Sequence, residues 1–160
     1  NKKNIYTMYA GSVHLHNVLR WIILILLLLN IFRHATAGAQ AYSNKDRKLG
    51  LWLMVSAHIM LLLGLFQYIY GGLGVEAFKN MGGAIMKDKV SRYWAVEHIS
   101  GMLIAIVLIT LGYGVRKKAF NDFVKHRRAL ILYSIALLLI LASMPWPWRE
   151  GVARPWFPGM

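Results

Sequence analysis

Four apolar segments, each close to the thickness of a lipid bilayer's hydrocarbon core, dominate the sequence. A transmembrane helix needs about 20 consecutive residues that are mostly apolar, and 58% of the 160 residues are apolar. We therefore predict an all-α fold: an integral membrane four-helix bundle, up-down-up-down, forming a single transmembrane domain with a C-terminal interfacial tail. The predicted spans are residues 13–33, 49–70, 93–115 and 126–146, and the tail is residues 147–160.

The composition excludes several kinds of function. The chain contains no cysteine, so it has no cysteine-ligated iron–sulfur cluster, no disulfide and no haem attached through cysteine. The formal charge of +13 would suggest nucleic-acid binding in a soluble protein. Between membrane spans, however, lysine and arginine are typical of the headgroup region. We expect membrane lipid as a partner and no nucleic acid.

An even number of spans places both termini on one side of the membrane, which we call side A. The first and third connections then lie on the opposite side, side B. Lysine and arginine are slightly more numerous on side B, so the positive-inside rule favours a cytoplasmic side B and periplasmic termini in a bacterial inner membrane. The second connection, Gly71 to Arg92, is long and glycine-rich, and it is compatible with a short helix on the membrane surface.

Histidines recur at or near the N-terminal ends of the apolar segments. Ionisable side chains are costly inside a bilayer and usually have a task there, and histidines that face one another between helices can hold haem iron. Because the first and third helices are parallel, as are the second and fourth, the pattern predicts two bis-histidine metal sites, one in each leaflet. The predicted pairs are His16 with His98 near side A, and His58 with His126 in the side B half.

Depth supports the two pairs unequally. At about 1.5 Å per residue, His98 lies about 9 Å inside its span, which matches the depth of His16. His58 lies about 15 Å inside its span, whereas His126 lies among basic residues and is expected at the membrane surface. One haem is therefore better supported than two. Whether His14 or His16 is the ligand, and which residue is the partner of His58, stay open.

The first helix has a polar stripe. His16, Arg20, Asn30 and His34 fall on one side of it, and such a stripe faces the bundle interior or a wet cavity. Arg20 either pairs with a haem propionate or extends its head group to the interface. His34, at the end of the helix, is the histidine least expected to be a ligand.

Small residues share the face of His98 on the third helix. Gly101 and Ala105 lie on this face, and we count both as candidates for contact with a cofactor. Residues of this size admit a flat macrocycle, but they equally admit the backbone of another helix. Both interpretations stay open.

The sequence also resembles a family of membrane proteins. The run His14 to Trp21 is similar to the opening of small four-helix membrane proteins of Bacteroidota that bear the name cytochrome b. The resemblance implies b-type haem and electron transfer, without assigning individual ligands. It continues through Ala57-His58, Asn80-Met81-Gly82, Val96-Glu97-His98, Lys125-His126, and Ile140 to Arg149.

Together these features predict an electron-transfer protein of the respiratory chain rather than an enzyme in its own right. It would bind one or two b haems between its helices, exchange electrons with a quinone-level partner, and associate with other subunits of a membrane complex. The alternative is a haem-free accessory subunit whose polar stripe hydrogen-bonds to the helices of a larger complex.

Overall fold

All regular secondary structure is helical in the part described by the computed structural model, residues 2–157, of which residues 2–4 and 6 are described by their backbone alone. Residue 1 and residues 158–160, the end of the predicted interfacial tail, lie outside that part. The helices are α1 (Lys2–Thr36), α2 (Asn44–Tyr70), α3 (Val75–Met81), α4 (Lys89–Arg92), α5 (His98–Gly114) and α6 (Asp122–Ser143), with a π-helical turn at Tyr93–Glu97 and 3₁₀ turns at Gly82–Met86 and Val115–Lys117.

The four long helices form the predicted bundle. Helix α1 packs against α2 and α6, and α5 packs against the same two helices, so α1 and α5 stand diagonally opposite each other. The core between them is mainly apolar and includes Leu27, Leu53 and Ile109, all fully buried. The outward faces are also apolar, with Phe32 and Leu138 among the most exposed side chains. A bundle that is apolar inside and outside is suited to a lipid surrounding.

All four helical stretches are long and apolar enough to cross a membrane. Helix α1 has 35 residues, which at about 1.5 Å per residue makes it about 52 Å long. It therefore exceeds the hydrocarbon core, about 30 Å thick, and it begins well before the predicted span. The second connection contains the short helix α3, which agrees with the expectation of a short helix there.

Local capping residues determine where α2 and α6 begin on side B. Ser43 and Asp46 form a capping box at the start of α2, in which each side chain accepts a hydrogen bond from the other residue's backbone N–H. The side chain of Asn121 accepts from the N–H of Val124 at the start of α6. These caps satisfy N–H groups that have no partner within the helix, and both lie at the side B end of the bundle.

Candidate functional site

A cavity of about 430 Å³ lies inside the side A half of the bundle. Side chains of α1, α2, α5 and α6 line it, and most of them are apolar, including Ile23, Met60, Met102 and Ile140. This volume is within the range of about 300–1,000 Å³ that is typical of small-molecule and cofactor sites. The cavity is therefore the first candidate for a ligand site.

His98 lines this cavity and is held by the end of α6. Its Nδ1 lies 2.8 Å from the carbonyl oxygen of Ser143, and the hydroxyl of Tyr93 donates to the same oxygen over 2.7 Å. A carbonyl only accepts hydrogen bonds, so Nδ1 carries the proton and Nε2 keeps its lone pair. A π-helical turn at Tyr93–Glu97, just before His98, shifts the register of the helix there; such turns are frequent at functional sites.

His16 lines the same cavity from α1, on the diagonally opposite side of the bundle. A Cβ atom added to Gly64 of α2 would lie 3.7 Å from Nε2 of His16, so this nitrogen lies beside α2. His14 also reaches the cavity, but its side chain is exposed whereas that of His16 is half-buried. The structure therefore brings together the predicted pair His16 and His98, and it places His14 farther out.

Arg20 and the C-terminal tail close one end of the cavity. The guanidinium Nη2 of Arg20 donates to Asn17 and to the carbonyl oxygens of Pro155 (3.2 Å) and Trp156 (2.7 Å). The indole of Trp21 donates to the same Trp156 oxygen over 2.9 Å and stacks on its ring. The Nε of Arg20 is buried and has no partner among the described residues. Arg20 thus binds the tail through Nη2, while its Nε–H has no acceptor among the described residues.

No family model, curated protein or solved structure matches this chain. The resemblance to cytochrome b proteins stays a prediction.

A second cluster of ionisable side chains lies at the side B end. The Nδ1 atoms of His34, at the end of α1, and His126, at the start of α6, are 2.8 Å apart. Asp46 of α2 completes the cluster, and one ligand atom from each of the three residues lies within 4.8 Å of the others. All three are buried, with exposed fractions of 3% for His34 and 1% for His126 and Asp46.

Hydrogen bonds and aromatic rings enclose this cluster. Arg33 forms an ion pair with Asp46, with its Nε 2.6 Å from Oδ1, and the rings of Tyr42 and Tyr133 stack on His34 at 5.9 and 5.8 Å. Burial, followed by the nearby carboxylate of Asp46, raises the pKa of Tyr42 to about 12. Tyr42 therefore keeps its hydroxyl proton at neutral pH.

The predicted pairing of His58 with His126 is wrong. His58 is exposed on the outer face of α2, and its Nδ1 lies 2.8 Å from the carbonyl oxygen of Met54 on its own helix. His126 is buried rather than at the surface, and its neighbour is His34. The reason is geometric: the C-terminal end of α1 and the N-terminal end of α6 meet on the same side of the bundle, so their terminal histidines come together.

The small residues beside His98 have different neighbours. A Cβ added to Gly101 would lie 2.2 Å from the Oγ of Ser143, so the absence of a side chain at Gly101 serves the contact between α5 and α6. Ala105 is fully buried and lines the cavity. Of the two, Ala105 borders the cavity, whereas Gly101 takes part in helix packing.

The sequence interpretation did not predict the pairing of His34 with His126. The signal that could have identified it was the polar stripe of α1, since Asn30 and His34 on that stripe are both buried. The two tyrosines that enclose the histidine pair, Tyr42 and Tyr133, carried no comparable signal.

Proposed function

We propose that the protein is an electron carrier of the membrane that holds one b-type haem in the side A cavity. His16 and His98 would be the axial ligands. The observation that carries the proposal is that these two histidines, from diagonally opposed helices, line one mostly apolar cavity. Buried ionisable side chains in a membrane bundle that face each other across such a cavity commonly serve a ligand or cofactor.

The hydrogen bonding of His98 fits the role of an iron ligand. Histidines that bind metals nearly always donate the other ring N–H to a carbonyl, a carboxylate or water, which fixes the tautomer and the ring orientation. The bond from Nδ1 of His98 to the Ser143 carbonyl has this form. It leaves Nε2 as the nitrogen with an available lone pair.

Two arginines fit the acidic side chains of a haem. Arg20 and Arg154 both line the cavity, and the buried Nε of Arg20 has no partner among the described residues. A buried donor without an acceptor is costly, and a propionate carboxylate would satisfy it with a charge-assisted hydrogen bond. This supports the propionate interpretation of Arg20, alongside its bonds to the tail.

When bound, haem supplies reversible one-electron exchange. The residues of this chain would position it and control its surroundings. The apolar lining would surround the haem with few polar groups, and a low-polarity environment tunes the potential of an iron centre. The tail fastened by Arg20 borders the cavity on side A, where we place the exchange of electrons with a quinone or a partner subunit of a bacterial inner-membrane complex.

The geometry of the side B histidines supports the binding of one haem rather than two. An iron between two imidazoles needs its nitrogens about 4 Å apart, since each metal–nitrogen bond is about 2 Å long. The Nδ1 atoms of His34 and His126 are only 2.8 Å apart, and tyrosine rings stack on both histidines. This arrangement leaves no space for a macrocycle between them.

The test is a dithionite-reduced minus oxidised absorption spectrum of the purified, full-length protein. We expect the Soret and α-band changes of a b-type haem in the wild type, and their loss in H16Q and in H98Q. H58Q is the matched control, because it removes an exposed histidine that does not line the cavity, and H14Q tests the alternative ligand on α1; both should keep the full signal. Folded wild-type protein without any haem signal would refute the proposal and favour the haem-free accessory subunit. An unchanged signal in H16Q or H98Q would remove that residue as a ligand.

A further inference from the structure

We propose that His34, Asp46 and His126 form a binding site for a divalent transition-metal ion of the zinc type at the side B end of the bundle. This site is separate from the haem site and does not depend on it. The three residues come from the ends of α1, α2 and α6. An ion bound there would join three helices, in addition to the Arg33–Asp46 ion pair and the His34–His126 hydrogen bond that already connect them in pairs on this side.

The donor set suits such an ion. Zinc and similar ions bind imidazole nitrogen and carboxylate oxygen, most often in tetrahedral sites. One ligand atom from each of the three residues lies within 4.8 Å of the others. In a tetrahedral site with bonds of about 2.0–2.1 Å, two ligand nitrogens are about 3.4 Å apart. The Nδ1 atoms, now 2.8 Å apart, would need to separate by only about half an ångström.

The second ring nitrogen of His126 has the partner that a ligand histidine requires. Its Nε2 lies 3.2 Å from the carbonyl oxygen of Gln40. Because a carbonyl accepts, Nε2 carries the proton and Nδ1 presents its lone pair to His34. This is the outer hydrogen bond that orients metal-binding imidazoles.

The carboxylate of Asp46 keeps capacity for a metal despite its other bonds. Its Oδ2 accepts from the N–H and hydroxyl of Ser43 and from Arg33. Its Oδ1 accepts a single hydrogen bond among the described residues, from the Nε of Arg33. A carboxylate offers about four lone-pair positions, so Oδ1 retains one for an ion. Arg33 and Ser43 orient the carboxylate as outer partners do in metal sites.

The burial of the three side chains also supports a metal site. Three ionisable side chains are withdrawn from solvent here, and in structures such groups are paired or bind metals. Arg33 compensates Asp46, but no acidic group pairs with the two histidines among the described residues. Because Nδ1 of His126 accepts the hydrogen bond from Nδ1 of His34, an ion that binds both nitrogens would displace the proton between them, and metal binding commonly displaces protons from its ligands.

The experiment uses Co²⁺ as a spectroscopic probe and Zn²⁺ as a competitor on full-length protein freed of metal by chelation. We expect one Co²⁺ per chain with visible d–d absorption, displaced by Zn²⁺, and a rise in the thermal unfolding midpoint on adding Zn²⁺. H34Q, H126Q and D46N should each weaken Co²⁺ binding by more than about tenfold. H58Q, which changes an exposed histidine of α2, should bind like the wild type.

A reciprocal variant keeps the test decisive if the single variants fail to fold. In H14Q/H16Q/H58Q/H98Q, His34 and His126 are the only histidines left in the sequence, and we expect it to bind Co²⁺ as the wild type does. Because this variant lacks both proposed haem ligands, its result is independent of the haem proposal. Absence of Co²⁺ binding by the wild type, or its loss in the reciprocal variant, would show that His34 and His126 form only a hydrogen-bonded pair.

Discussion

His34 and His126 are separated by 92 positions in the chain, yet their Nδ1 atoms lie 2.8 Å apart. Across the bundle from them, near side A, His16 and His98 line a single cavity. Four of the six histidines are thus gathered into two groups at opposite ends of the bundle. The other two, His14 and His58, are exposed, and His58, which lies outside both groups, is the natural control for each of them.

A close contact between α5 and α6 gives a prediction about stability. A Cβ added to Gly112 would lie 2.5 Å from a ring carbon of Tyr133, and this tyrosine is fully buried and cannot move aside. We expect G112A to destabilise the protein by about 1–3 kcal/mol or more. G114A is the matched control, because nothing lies within 4 Å of its added Cβ; it should be neutral or slightly stabilising. Detergent-solubilised protein unfolded by heat, followed by tryptophan fluorescence, provides the comparison, and equal midpoints for the two variants would contradict this packing.

A single substitution in the lining can fill the cavity. Ala105 is fully buried and lines the cavity, so A105F would place a phenyl ring in the space proposed for haem. We expect haem content to fall by at least about tenfold, as is usual when a fitted site is obstructed. V107F adds the same ring on the exposed side of α5 and should keep its haem. Full haem content in correctly folded A105F would place the cofactor elsewhere.

The hydroxyl of Tyr133 has no hydrogen-bond partner among the described residues, although the side chain is fully buried. Removing an unpaired polar group loses no hydrogen bond and relieves a desolvation cost. We therefore expect Y133F to leave stability unchanged within about 1 kcal/mol or to raise it. The same unfolding assay measures this. A loss of more than that amount would reveal a bound water or another partner at the hydroxyl.

Arg20 offers a prediction about the tail. Its guanidinium donates hydrogen bonds to the carbonyl oxygens of Pro155 and Trp156. These residues are 135 and 136 positions away from Arg20 in the sequence. In R20Q these charge-assisted bonds are weakened, so the tail should detach more often and be cut faster after Trp156 by a protease that recognises aromatic residues. Mass spectrometry of timed digests measures the rate. R47Q, at an exposed site on side B, is the control, and equal rates in both variants would mean that Arg20 does not fasten the tail.

The fold could be predicted from the sequence because hydropathy and length alone indicate four spans. Which face of each helix is turned toward the core could not be predicted equally well. Helix α1 carries a polar stripe, and Asn30 and His34 on it are indeed buried. Helix α2 is apolar on both its inner and outer faces, since lipid and core are similar solvents, and the position of His58 therefore gave no sign that it points outward.

Predicting which histidines pair also required knowing where each helix begins and ends. Parallel helices suggested that histidines at helix starts would meet, and this holds for His16 and His98 as neighbours of one cavity. It fails for His126, because the end of α1 and the start of α6 share the same side of the bundle. The position of the tail against α1 could also not be predicted from the sequence pattern, because Trp156 meets Trp21 only in the folded chain.

The most direct test of the central claim compares haem content, measured as the pyridine haemochrome, in two double variants of the full-length protein. The account predicts one b-type haem per chain in the wild type, retention of that haem in H34Q/H126Q, and its loss in H16Q/H98Q. Haem retained in H16Q/H98Q, or wild-type protein that folds without haem, would contradict it.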